Sequence, residues 1–237
     1  MVPIIWAEDG WPMVDNKTGL VQTEDRLPDL PKTIYPLMPE SDNFECDTLQ
    51  MQWNTIHPPV KQIYSLTDRF GYLRLYTRKE VLNEICLPSF IGRRQRHKVF
   101  LAKTAMEFTP ANENEEAGIA LVQDDRFHYL MVLVQKDGKP FLQAYQTEMV
   151  QNLCLQKLRS RCKRLYLSVQ GNTTDYDFYY GYTDQEMLPL VRALDASLLS
   201  SVVNNGFTGT YIGMYTSSNH QPSTNYADFD WFNYQGE

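Results

Sequence analysis

Residues 100–108 read Phe100-Leu101-Ala102-Lys103-Thr104-Ala105-Met106-Glu107-Phe108, and this stretch decides the fold. Side chains on a strand alternate between its two faces. Phe100, Ala102, Thr104, Met106 and Phe108 therefore share one face, with Lys103 and Glu107 on the other. That is the pattern of a half-buried strand. The same period recurs downstream. Leu165, Leu167 and Val169 alternate with Tyr166 and Ser168, and Phe178, Tyr180 and Tyr182 alternate with Asp177, Tyr179 and Gly181. Residues 128–134 form a continuous apolar run, as in a buried strand. Further strands are expected at 72–76, 117–123, 207–215 and 227–234. Asp137-Gly138 and Asn204-Asn205-Gly206 are turn signals between them. Many short strands with such punctuation predict an all-β fold, a sandwich or jelly roll. Two segments have helical spacing: residues 149–161, through Val150, Leu153, Cys154 and Leu158, and Asp195-Ala196-Ser197-Leu198-Leu199, which reads as one capped turn.

The N-terminal part reads differently. Ile4-Ile5-Trp6-Ala7 and Trp11-Pro12-Met13-Val14 flank Glu8-Asp9-Gly10, a hairpin signal. A lone hairpin is marginal in water, so residues 1–14 are expected to be the end of something larger. Residues 15–45, with Pro28, Pro31, Pro36 and Pro39, read as an extended linker. Residues 46–237 carry the sandwich.

Composition removes several function classes. There are 29 acidic and 22 basic residues, a net charge of −7. A phosphate-backbone partner needs the opposite balance, so no nucleic acid is expected. No apolar run reaches the roughly 18 residues that would span a membrane, and no membrane partner is expected. Met1-Val2-Pro3 leads straight to Trp6, Glu8 and Asp9, which is no signal peptide. As written, the chain is expected to be cytoplasmic. Cys46, Cys86, Cys154 and Cys162 form no CxxC pair, and reduced, mostly buried thiols are expected.

Candidate chemistry is sparse. Asn112-Glu113-Asn114-Glu115-Glu116 is the densest acidic cluster and reads as a solvated loop. Asp228 and Asp230, two apart on a strand, share a face, with Phe229 and Trp231 opposite. Such a pair is either a Ca²⁺ site or a polar sheet face. Arg93-Arg94-Gln95-Arg96-His97 either binds a partner surface or is an exposed basic strand or turn. Phe207, between Gly206 and Gly209, is either an aromatic presented to a ligand or a core residue at a strand start.

Gln52-Trp53-Asn54, Tyr64-Ser65-Leu66-Thr67, Gly71-Tyr72-Leu73-Arg74-Leu75, Arg93-Arg94-Gln95, Asn114-Glu115-Glu116-Ala117-Gly118, His128-Tyr129, Gly206-Phe207-Thr208-Gly209 and Ala227-Asp228-Phe229-Asp230-Trp231-Phe232 occur in that order. Together they resemble the C-terminal concanavalin A-like β-sandwich of glycoside hydrolase family 43 β-xylosidases and arabinofuranosidases. Trp6-Ala7-Glu8-Asp9-Gly10-Trp11-Pro12 resembles the last segment of that family's catalytic propeller. Tyr64 stands where the family usually has Trp, Phe70 where it has Pro, and Arg96 where Gln is common.

The resemblance implies an enzyme that removes terminal xylose or arabinose from xylan oligosaccharides with inversion. Its catalytic carboxylates would lie in the propeller, so none is assigned here and this chain is expected to be inactive alone. Phe207 would wall the propeller's pocket and so contact a xylo-oligosaccharide. Arg93, Arg94 and His97 are candidate propeller contacts. No cofactor is required, with Ca²⁺ at Asp228 and Asp230 the one optional metal. The competing readings are a stand-alone carbohydrate-binding module, with Tyr179, Tyr211 and Tyr226 as its aromatics, and a gene fragment without separate function.

Overall fold

The computed structural model describes residues 2–14, 20, 22–24, 29–35, 38–58, 60–147, 151–159 and 163–237. The chain divides into two compact units, Met1–Leu37 and Met38–Glu237.

In the first unit, β1 (Ile4–Trp6) pairs antiparallel with β2 (Pro12–Val14), with Ile4 opposite Val14. The expected turn forms, and Gly10 takes φ 82°, a value that suits glycine. Trp6 and Trp11 are exposed on this hairpin.

The second unit contains fourteen strands among its described residues. In chain order they are β3 (Ser41–Asp42), β4 (Tyr64–Ser65), β5 (Leu73–Tyr76), β6 (Ser89–Arg94), β7 (Val99–Glu107), β8 (Glu116–Val122) and β9 (His128–Lys136). Then follow β10 (Lys139–Gln146), β11 (Gln151–Lys157), β12 (Leu165–Asn172), β13 (Asp175–Gly181), β14 (Met187–Asp195), β15 (Tyr211–Ser217) and β16 (Tyr226–Gly236). One antiparallel sheet has the order β11-β10-β9-β8-β15-β6. The other runs β14-β13-β12-β7-β16-β5-β4, with β3 also paired to β16. Two such sheets packed face to face make the expected sandwich.

The alternation read in the sequence is what fills the core. Phe100, Ala102, Met106 and Phe108 are all buried in it, as are Leu165, Leu167 and Val169. The run 128–134 is buried throughout because the six-stranded sheet is covered on both faces. Tyr129, Met131 and Leu133 join the main core. Leu130, Val132 and Val134 join a second cluster on the outer face with Phe90, Ala120, Tyr215 and Leu82.

Several expectations change. Residues 151–157 form β11, paired to β10, and not a helix. The rest of that proposed helix at 149, 150, 160 and 161 lies outside the described residues, as do Pro28, Pro36 and Cys162. The capped turn is present: Ala196–Leu199 is a 3₁₀ turn, and Asp195 accepts from the Ser197 amide at 2.8 Å. β3, β4, β6, β10 and β14 lie outside the stretches whose pattern predicts a strand. β14 is a sheet edge, and its Pro189 is tolerated there because no neighbour needs that amide. Residues 207–210 are loop, and β15 begins only at Tyr211. The sandwich also takes in residues expected to be linker, since β3 pairs with β16 and Phe44 is buried in the core. The described cysteines are free; Cys46 is exposed, and Cys86 and Cys154 are half-buried, Cys154 packing against the core.

Candidate functional site

The loop between the last helical turn and β15 presents the aromatic singled out above. Ser201–Asn204 forms one helical turn, whose Val202 amide donates to the Ser200 hydroxyl at 3.3 Å. Asn205 ends it in the left-handed region, φ 57°. The chain is then fastened to the end of β8. The Asn204 side-chain amide donates to Gln123 Oε1 at 3.0 Å, and the Thr208 hydroxyl donates to the Gln123 carbonyl at 3.2 Å. The Gly206 amide donates to Asn204 Oδ1 at 3.3 Å, and the Thr210 hydroxyl to the Leu199 carbonyl at 3.2 Å. Between these ties Phe207 stands fully in solvent, at 105% relative exposure. It is not a core residue. An apolar ring held out by a fastened loop is unfavourable in water unless something else covers it.

Beside the loop is a cleft of about 320 Å³ lined by Ile56, Ile85, Phe90, Tyr211 and Thr208. Tyr211 pairs with Arg94 across the β15–β6 ladder, and the Arg94 guanidinium lies 4.7 Å from the Tyr211 ring centroid. Strand alternation separates Arg94 from its neighbour. Arg94 is exposed, whereas Arg93 is 1% exposed and turned inward. Arg93 Nη1 donates to the Pro39 carbonyl at 3.1 Å, its guanidinium stands over Tyr234, and its Nη2 has no partner among the described residues. Burial, followed by the neighbouring Arg96, lowers its pKa. Arg93 therefore supports the fold from within and does not offer its charge to a surface. His97 is half-buried, with Nδ1 3.3 Å from the Tyr234 hydroxyl.

Asp228 and Asp230 lie in an ion-pair network on the outer face of the larger sheet. Arg74 reaches Asp228 through Nε and Nη2, and Arg69 reaches both Asp228 and Glu107. Arg164 pairs with Asp230 and Glu107. The hydrogen bond from Arg69 lowers the Glu107 pKa, against its partial burial. Three guanidinium groups thus balance three carboxylates. Ca²⁺ needs six to eight oxygens and would have to displace these cations, so the residues do not fit it. Among the described residues no group of three or more His, Cys, Asp or Glu is placed to hold a metal ion. The expected pairing of Phe229 with Trp231 on one face also fails. A β-bulge lies between them in the β16–β7 ladder, so Phe229 enters the core while Trp231 packs outside against Tyr166.

The three tyrosines proposed for sugar stacking each have an arginine over the ring. Arg74 covers Tyr226 at 3.6 Å, Arg94 covers Tyr211 at 4.7 Å, and Arg192 covers Tyr179 at 5.6 Å. The acidic cluster is not a wholly solvated loop either. Glu115 is buried and accepts from Ser223, Asn225 and the Ala111 amide. Glu116 opens β8 and is buried on its outer face. Gln123, which fastens the Phe207 loop, carried no signal, because one glutamine at a strand end is common.

Comparison with known proteins places this arrangement. Residues 41–235 match the family described as "Beta xylosidase C-terminal Concanavalin A-like domain". The chain is 34% identical over 99% of its length to the non-reducing end α-L-arabinofuranosidase BoGH43B of Bacteroides ovatus, and covers 44% of that protein. It is 29% identical over 98% of its length to a β-xylosidase of Bacillus subtilis, of which it covers 45%. The chain thus spans less than half the length of these relatives. Among solved structures it matches the Bacteroides ovatus xyloglucan-locus GH43B with TM-score 0.91, at 34% identity and over 46% of that chain. It matches the xylan β-1,4-xylosidase of Bacillus halodurans with TM-score 0.90, at 27% identity, covering 99% of this chain and 46% of that one.

Proposed function

The chain belongs to the family of β-xylosidase C-terminal concanavalin A-like domains, and from that premise we propose that it completes the active site of a family 43 catalytic propeller acting on xylan-derived oligosaccharides. Phe207 is the residue that does so. It walls the propeller's pocket, limits the length of bound substrate and favours removal of a terminal xylose or arabinose. The acid and base are the propeller's own, and this domain contributes shape and water exclusion rather than proton transfer.

The observation that carries this reading is the full exposure of Phe207 on a loop tied at Asn204 and Thr208 to Gln123. Fixing an aromatic before its partner arrives lowers the ordering cost of docking. The cleft beside it, with Ile56, Ile85 and Tyr211, supplies apolar surface of the kind that obligate interfaces bury. Arg94 stands at its edge as a polar contact, and the half-buried His97 is a second candidate.

The experiment is a chimera in which this chain replaces the corresponding part of the Bacteroides ovatus relative. The chimera is expected to hydrolyse an aryl arabinofuranoside or xyloside, while residues 1–237 alone do not. Hydrolysis at an enzymatic rate by the isolated chain would refute the reading.

A further inference from the structure

A second cavity, on the outer face of the six-stranded sheet, belongs to none of the machinery above. It measures about 230 Å³. Gly118 on β8 lies opposite Val132 on β9 and Tyr215 on β15, and a Cβ there would stand 1.9 Å from the Met131 carbonyl oxygen. The centre of the sheet face therefore carries no side chain at that position. Tyr145 and Tyr215 stand on β10 and β15, to either side of β8 and β9. Residues 81–83 contribute Val81, Leu82 and Asn83 to the rim.

Part of the polar lining serves the fold: Tyr145, Tyr215 and Asn219 bond the Glu116 carboxyl, and the Thr147 hydroxyl donates to the His128 carbonyl. His128 is 1% exposed, and its Nδ1 lies 3.3 Å from the Asp124 carbonyl. With that bond made by the ring N–H, Nε2 is an acceptor without a protein partner among the described residues. Glu116, 5% exposed, accepts a 3.0 Å hydrogen bond from the Tyr145 hydroxyl. The side-chain amides of Gln143 and Asn83 line the same space and form no hydrogen bond among the described residues. Among the described residues no lysine or arginine lines it. Burial raises the Glu116 carboxyl to about 7 and lowers His128 to about 4, so near pH 6 the cavity is largely uncharged.

Such a set of donors and acceptors suits a ligand whose own groups both donate and accept. Hydroxyls do both. An anion finds no cation here, and a cation finds one carboxyl already bonded by two phenols and the Asn219 side chain. The apolar atoms of Leu130, Leu82 and the two tyrosines suit the C–H faces of a ring. The volume is below the roughly 300–1,000 Å³ of drug-sized sites, which admits one ring and not a chain. We propose that this cavity is a binding site for a single neutral sugar ring, separate from the Phe207 loop. The proposal stands on the cavity's own groups and does not depend on the proposed function.

The test is a titration of the full chain with D-xylose, L-arabinose and D-glucose at pH 6, followed by NMR shifts and calorimetry. Saturable millimolar binding of at least one sugar is expected, with shifts at the Asn83 and Gln143 side-chain amides. Asn83→Ala and Gln143→Ala should together weaken it at least tenfold without moving the thermal midpoint. Asn83 is on the exposed rim, so its single variant remains informative should the double variant be unstable. Phe207→Ala should bind normally. The proposal is overturned by failure of all three sugars to saturate, by binding indifferent to Asn83→Ala and Gln143→Ala, or by binding that disappears with Phe207→Ala.

Discussion

Arg74 grips Asp228 with two hydrogen bonds, 2.7 Å from Nε and 2.9 Å from Nη2, across the β5–β16 ladder. The carboxylate is almost wholly buried, and Arg69 adds a third bond at 3.1 Å. Removing the acid takes both close bonds from Arg74 and leaves Arg69 with Glu107 alone, beside a third cation, Arg164. Asp228→Ala is therefore expected to cost about 3 kcal/mol in urea unfolding. Arg69 is about a third exposed, and solvent screens its pairs. Arg69→Ala should cost only about 1 kcal/mol. A chelator should leave the thermal midpoint of the parent chain unchanged, because these carboxylates are neutralised by arginines.

Glu116 and His128 predict a masked pH dependence. The Glu116 carboxyl is raised by burial from 4.5 to about 7, so the folded state holds its proton longer than the unfolded one. Stability falls as pH rises through that window, by an amount on the order of 3 kcal/mol. His128 is lowered by burial from 6.5 to about 4, so here the unfolded state binds the extra proton. Its contribution falls as pH drops from 6.5 towards 4. The two slopes oppose each other over pH 4.5–6.5. Glu116→Gln should expose the histidine slope, with stability rising with pH to 6.5. His128→Gln should expose the reverse slope. Parallel pH profiles for the two variants would contradict this assignment.

Gly118 and Gly138 should respond differently to alanine. At Gly118 the new Cβ meets backbone, the Met131 oxygen at 1.9 Å and the Val132 Cα at 2.8 Å. Two central strands must part, at a cost of about 3 kcal/mol or more. At Gly138, φ is 68° and nothing lies within 4 Å of the added carbon. Only the left-handed backbone is penalised, at about 1 kcal/mol. Urea titrations of both variants give the comparison.

The core was legible wherever a strand has one wet face or none. Phe100 to Phe108 and residues 128–134 fell into place because alternation and continuous apolarity follow directly from burial. Edges were harder to read. β14 buries little and carries Pro189, and the segment holding β11 places Leu153, Cys154 and Leu158 at helical spacing, so pairing with β10 overrode local pattern. The bulge that turned Trp231 outward has no signature in a run of aromatic and acidic residues. Glu116 reads as solvated because four polar residues precede it, yet it begins a strand that faces a second apolar cluster. Phe207 was visible through its flanking glycines, although they fit a strand start equally well. Its outward position depends on Gln123, more than 80 residues upstream.

The account rests on Phe207, and the most direct test is the kcat/KM of the chimera carrying Phe207→Ala, measured on an aryl glycoside and on xylobiose. Phe207 makes no contact that holds the sandwich together, so the variant should keep its thermal midpoint. Loss of one pocket wall should lower kcat/KM by about tenfold or more, with the larger loss on the disaccharide. An unchanged kcat/KM on both substrates, in a chimera that is otherwise active and folded, would contradict the claim that this loop completes the catalytic pocket.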